Sequence, residues 1–83
     1  MPTLIEHGRS AEAVEVGQQA VRLEPLSECS HKALIAAYLA AGDRARAVRQ
    51  FQEHAALLWS EMGLRPSEAT VALVRHLLRD RPS

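Results

Sequence analysis

The chain has 83 residues, a formal net charge of zero from ten acidic and ten basic side chains, and 47% hydrophobic residues. This length allows one domain or part of one, and the even charge argues against a protein that binds DNA chiefly through a basic face. The single Cys29 excludes an intrachain disulfide. No leader pattern and no apolar run near about 18 residues occurs, so we expect a cytoplasmic protein without membrane contact.

Four helices are predicted, because Gly and Pro separate stretches whose apolar residues recur at helical spacing. The first covers about residues 10–24 and ends before Pro25, since the residue before a proline disfavours helical geometry. The second covers about residues 27–41, with Ser27 as N-cap and Gly42 as its left-handed end.

The third predicted helix runs from its N-cap Asp43 to about residue 62, and Gly63 closes it. The fourth begins after its cap Ser67 and continues to about residue 79. No segment alternates apolar and polar residues long enough for a strand, so the fold class is all-α.

The third predicted helix carries apolar residues on two sides. One set forms a stripe at helical spacing that should face the core: Val48, Phe51, Ala55, Leu58 and Met62. A second set consists of Ala56, Leu57 and Trp59. We therefore expect this helix either to be sandwiched or to present one apolar side to a partner.

The chain matches itself at an offset of 34 residues, which is the tetratricopeptide period. The identical pairs include Gly8 with Gly42, Ala13 with Ala47, and Leu23 with Leu57. We predict one domain over residues 1–83, with its core at about 8–79, built of tetratricopeptide-like antiparallel helix hairpins in a right-handed α-solenoid. The residues expected to pack between repeats are Ala13, Ala20, Leu34, Tyr38, Gly42, Ala47 and Phe51.

Three positions depart from the usual tetratricopeptide pattern. His31 stands where a Trp is usual, Gly17 where an aromatic residue is usual, and His54 where a small residue is usual. Residues 1–7 are too few for a complete leading helix. We therefore expect either a piece of a longer chain or a degenerate first repeat.

A more specific resemblance lies in three segments: residues 23–28 (LEPLSE), residues 41–47 (AGDRARA) and residues 57–67 (LLWSEMGLRPS). Over about residues 7–78 the chain resembles the bacterial transcriptional activator domain of SARP-type antibiotic regulatory activators. The resemblance implies a helical module that mediates self-association, partner contact or regulation. It also implies that DNA is bound only by a winged-helix domain, which is absent from these residues.

Side chains capable of chemistry are present but poorly placed for it. Cys29 and His31 lie two residues apart on a helix and point about 200° apart, which is poor geometry for one metal ion. Cys29 as a helix N-terminal nucleophile is an alternative that we disfavour. No phosphate loop, serine elbow or paired-carboxylate motif occurs, so we predict no catalytic residue, no cofactor and no metal.

The sequence suggests a surface for protein contact. The second helix should line a concave groove, and the third helix should expose its second apolar set. The candidate residues are His31, Lys32, Ile35, Leu39, Leu57 and Trp59. Packing against further helices is an equally weighted role for the first four. We predict a homodimer held partly through Trp59, or contact with a protein partner.

Two other functions stay open from the sequence. One is a tetratricopeptide adaptor unrelated to transcription. The other is direct DNA binding through Arg44, Arg46 and Arg49, which the neutral overall charge disfavours.

Overall fold

The computed structural model describes the backbone of residues 4–79, and the side chains of residues 10–75 and of Leu77. This part of the chain folds into α1 (Leu4–Leu23), α2 (Glu28–Ala40), α3 (Arg44–Met62) and α4 (Glu68–Arg79). The predicted all-α fold is therefore confirmed. The prediction was wrong at the start of α1, which begins at Leu4, so that Gly8 lies inside a helix.

The predicted helix ends are found where side chains cap unpaired amides. Ser27 Oγ accepts from Ser30 N at 3.3 Å, and Asp43 Oδ1 accepts from Arg46 N at 3.2 Å. Ser67 Oγ accepts from Thr70 N at 3.4 Å. Each of these bonds satisfies one amide that the first turn of a helix cannot pair internally.

Two glycines allow the chain to leave a helix and fold back. Gly42 has φ +78° and Gly63 has φ +66°, a left-handed conformation that side chains with a Cβ adopt at a cost. After α2, Gly42 N donates to Leu39 O and Asp43 N donates to Tyr38 O, the paired bonds of a Schellman ending. This turn brings α3 back along α2.

The second helix is the centre of the fold, since α2 packs against α1, α3 and α4. The whole body is flat, with extents of 42 × 35 × 18 Å. A buried cluster lies where the helices meet, consisting of Leu34, Ile35, Tyr38, Ala47 and Val74. The half-buried Val14, Val21, Phe51 and Leu77 pack around it.

The seven predicted packing residues differ in their burial. Leu34, Tyr38 and Ala47 are buried, Ala20 and Phe51 are half-buried, and Gly42 forms the turn. Ala13 was wrongly placed in this group, because its side chain is exposed. Its repeat partner Ala47 faces α2, whereas the side of α1 that carries Ala13 points away from α2.

The predicted core stripe of α3 was also partly wrong. The buried positions of this helix are Ala47, Gln50, His54 and Leu58, while Met62 is exposed. Two polar residues therefore lie at the centre of the buried face, and the predicted Val48, Phe51 and Ala55 lie along its edge as half-buried residues.

Candidate interaction surfaces

The structure divides the predicted interaction residues into buried and accessible ones. Lys32 and Trp59 are exposed, and Leu39 and Leu57 are half-buried. His31 and Ile35 were wrong as surface residues, because both are buried within the described part of the chain. Ile35 belongs to the apolar cluster. The ring nitrogens of the buried His31 are hydrogen-bonded to the protein and not to solvent.

His31 connects the α1–α2 loop to α3. Its Nε2 lies 2.7 Å from the carbonyl oxygen of Pro25, which can only accept, so the proton is on Nε2. Its Nδ1 lies 2.9 Å from the side-chain amide nitrogen of Gln50, which donates to the ring. Both ring nitrogens are thus satisfied when His31 is the neutral Nε2–H tautomer.

His54 lies directly against His31 in the interior. The two ring centroids are 4.4 Å apart and the planes are inclined by 24°, which is a stacked arrangement. His54 Nε2 is buried and has no hydrogen-bond partner among the described residues. Burial lowers the pKa of His54 below 6.5, the neighbouring His31 lowers it further, and the Glu28 carboxylate acts in the opposite direction.

Glu28 joins the start of α2 to the start of α4. Its Oε2 accepts from Thr70 Oγ1 at 2.7 Å and from the backbone amide of Ser67 at 2.6 Å. The hydrogen bond from Thr70 is the main reason that the pKa of Glu28 falls from 4.5 to about 2. Burial opposes this decrease, and the bonds from Ser67 support it.

Sequence reasoning missed this polar core because apolar periodicity gives no weight to Gln50, His54 or Thr70. One signal was available. His31 and His54 were both noted as departures from the tetratricopeptide pattern, and the structure shows that the two departures contact each other.

The accessible face of α2 forms one wall of an open groove of about 410 Å³. Of the residues predicted to line a concave surface, Lys32 lines this groove. Its other lining residues come from α2, from the N-cap of α4 and from α4 itself: Glu28, Cys29, Ala33, Ala36, Ser67 and Leu73.

Leu57 and Trp59 do not form one surface. They are two residues apart on α3 and therefore point about 200° apart. Leu57 lines a pocket of about 420 Å³ with Pro25 and Leu26, between Glu24 and Glu61. Trp59 is 60% exposed, and Met62, one turn later, is 53% exposed. We call Trp59 and Met62 the Trp59 surface.

The predicted arginine patch is on the exposed side of α3. Arg44, Arg46 and Arg49 are all exposed, and Arg46 pairs with Asp43 at 3.4 Å. An exposed ion pair of this kind contributes only about 0–1 kcal/mol, so it adds little to the stability of α3.

Among the described residues, no group of three His, Cys, Asp or Glu side chains could hold a metal ion. Cys29 is exposed as a free thiol. Within the described range, no helix has the length and apolarity needed to cross a membrane.

Residues 1–78 match the family described as the bacterial transcriptional activator domain. No curated protein and no solved structure matches the chain.

Proposed function

Because the chain belongs to the bacterial transcriptional activator domain family, we propose that it is a non-catalytic regulatory module that acts through protein–protein contact, including self-association. It would act in the cytoplasm as part of a tetratricopeptide-like solenoid. The observation that carries this proposal is the set of large hydrophobic side chains left exposed on a small domain. They are Val16, Leu23, Leu26, Trp59, Met62 and Leu64.

Exposed apolar side chains that recur on one side of a helix commonly mark contact surfaces. The Trp59 surface fits a protein partner, since Trp is among the residue types most enriched at the centres of interfaces. Its neighbour Met62 adds an unbranched side chain that adapts its shape to different partners.

A function in DNA recognition by this chain itself has less support. The net charge is zero, and one of the three arginines of α3 already pairs with an aspartate. In this proposal DNA is bound by another domain of an activator, and the helical module controls how that domain assembles.

A fusion experiment tests the proposal. The chain is joined to a monomeric DNA reader of known specificity, and binding to an operator with two half-sites is compared with binding to a single half-site. We expect tighter binding of the double site by at least about tenfold, because association of the modules raises the effective concentration of the second reader. If the ratio of double-site to single-site affinity were the same for the fusion as for the DNA reader alone, self-association would be refuted.

A mobility-shift titration of the isolated chain at about 100 mM salt is the control for direct DNA binding. We expect no retardation at low micromolar protein in the presence of competitor DNA. Retardation under these conditions would contradict the proposal that DNA contact belongs to a separate domain.

A further inference from the structure

An apolar stripe runs along the side of α1 that faces away from α2. It consists of Ala13, Val16, Ala20 and Leu23, and we call it the α1 stripe. Val16 is 67% exposed and Leu23 is 82% exposed, the highest values among the large hydrophobic residues with described side chains. The opposite side of α1 is covered, since Val14 and Val21 pack against the core cluster.

The internal repeat shows what kind of neighbour this stripe fits. A shift of 34 residues places the four stripe positions on Ala47, Gln50, His54 and Leu57 of α3. On α3 the first three of these are buried, and α2 is the helix that packs there. The same side of a repeat-equivalent helix is therefore a helix-binding side in α3 and an open side in α1.

The chain does not supply this neighbour by a hairpin in the described structure. In the α2–α3 hairpin, Gly42 adopts φ +78° and turns the chain back. Its repeat partner Gly8 lies within the continuous helix Leu4–Leu23, so no such turn precedes the stripe in the described part of α1. Among the described residues, therefore, no helix covers the stripe.

We infer that the α1 stripe binds the same stripe of a second copy of this chain, with the two α1 helices packed antiparallel. This inference rests on the proposed self-association and assigns a surface to it. The stripe residues are separated by three, four and three positions, which is the spacing of a two-helix seam.

The sizes of the side chains favour the antiparallel orientation. With the two-fold axis near Gln18, Ala13 lies opposite the partner's Leu23, and Val16 lies opposite the partner's Ala20. Each large side chain then meets a small one, which allows close packing. A parallel pair would place Ala13 against the partner's Ala13 and Leu23 against the partner's Leu23, leaving gaps and bulges in alternate layers.

The polar residues at the borders of the stripe are compatible with this orientation. Glu12 and Gln19 border one side, and Gly17 and Glu24 border the other. In the antiparallel pair Glu12 lies next to the partner's Gln19, and Glu24 lies next to the partner's Gly17. Glu12 is also level with the partner's Glu24, but the two lie on opposite borders of the seam, so the layer of Ala13 and Leu23 separates their carboxylates.

Sedimentation equilibrium of the full chain measures the association. A single helix pair buries less than the roughly 1,200 Å² of a standard interface. We therefore expect a weak dimer, which forms as the protein concentration is raised over a range of roughly 5–500 µM. Val16→Glu should shift the dissociation constant upward by at least about tenfold, because the seam would bury a carboxylate that has no partner to neutralise it. Trp59→Glu is the matched control at another exposed apolar residue. The inference assigns self-association to the α1 stripe in place of the Trp59 contact expected from the sequence, so this variant should leave the dimer intact.

Circular dichroism of Val16→Glu verifies that the variant is folded, which its exposure leads us to expect. A dimer that survives Val16→Glu but dissociates with Trp59→Glu would overturn the inference while self-association stands. A wild-type chain that stays monomeric throughout would overturn both self-association and the assigned surface, and the Trp59 surface would retain its proposed role in contact with another protein.

Disulfide trapping tests the orientation by gain of a signal. In a Cys29→Ser background, Val16→Cys protein is mixed with Ala20→Cys protein under mild oxidation. We expect the mixed disulfide to form at least about tenfold faster than either symmetric one, because only the antiparallel seam places these two positions together. Faster formation of the two symmetric disulfides would instead show a parallel pair and contradict the inference.

Discussion

Gly17 of α1 lies directly against the backbone of Leu34 in α2. A Cβ placed on Gly17 would be 3.0 Å from Leu34 Cα and 3.0 Å from Leu34 Cδ1. The Cα atom belongs to a helix backbone and cannot move aside as the end of a flexible side chain could. This pair therefore fixes how closely α1 and α2 approach.

Gly17→Ala should destabilise the domain although Ala is the better helix former. Helix propensity favours the variant by about 1 kcal/mol, but overpacking against Leu34 costs about 1–3 kcal/mol. A lower urea midpoint than in the native chain is the expected result. Glu15→Ala, at an exposed position of the same helix, is the control and should not lower it. An increased midpoint for Gly17→Ala would show that the helices separate easily.

Gly17 also shows what sequence reasoning recovered and what it did not. The departure from an aromatic residue was visible in the sequence, but its cause was not, because close approach depends on which side of α1 meets α2. Caps and turns were predictable, since Ser27, Asp43 and Gly63 act on their own neighbours in the chain. The buried contact of His31 with His54 was not, because it depends on how two helices are rotated about their axes.

Ala13 and Ala47 illustrate the same limit within the repeat. The self-match at 34 residues made them equivalent and predicted packing for both. The structure buries Ala47 completely and exposes Ala13. A repeat pattern records which residues suit a neighbour, but it does not record whether a neighbour is present.

This difference makes a matched pair of substitutions informative. Ala47→Leu should overpack the contact with α2 and lower stability by about 1–3 kcal/mol. Ala13→Leu adds the same atoms at the equivalent exposed position and should change monomer stability by less than about 0.5 kcal/mol. Urea unfolding at low micromolar concentration measures both. If the two substitutions lowered stability equally, Ala13 would not lie on the exposed side of α1 as the structure shows.

Glu28 should control the stability of the start of α4. Replacing it with Ala removes the acceptor for Thr70 Oγ1, which is fully buried, and for the Ser67 amide. Thr70 Oγ1 keeps Ser67 Oγ at 3.3 Å but loses its charged acceptor, and a hydrogen bond to a charged group contributes about 1.5–3 kcal/mol. We expect faster hydrogen exchange in the first turn of α4 and a lower unfolding midpoint.

The control for this variant is Glu68→Ala in the same turn of α4. Glu68 pairs with Arg75 at the exposed surface, and exposed pairs contribute only about 0–1 kcal/mol. If Glu68→Ala were as destabilising as Glu28→Ala, the loss would reflect general damage to the helix end and not the bond to Thr70.

The lowered pKa values of His54 and Glu28 predict that the free energy of unfolding decreases in two separate ranges as the pH falls. The pKa of His54 is below 6.5 in the folded chain, so the unfolded chain binds more protons as the pH falls below 6.5. Protons that bind the unfolded state preferentially destabilise the fold, so the first loss begins near pH 6.5. The pKa of Glu28 falls from 4.5 to about 2. Its stabilising effect is complete above pH 4.5 and disappears as the pH falls towards 2.

Urea unfolding measured from pH 8 to pH 3 tests this dependence. His54→Gln keeps a polar side chain at the same position but cannot titrate, so we expect its stability to change less between about pH 6.5 and 5 than that of the native chain. The decrease below pH 4.5 should remain, because Glu28 is unchanged. Glu28→Gln should show the complementary result, retaining the loss near pH 6.5 and reducing the loss at lower pH. If His54→Gln kept the full pH dependence of the native chain in the upper range, His54 would not be the titrating group.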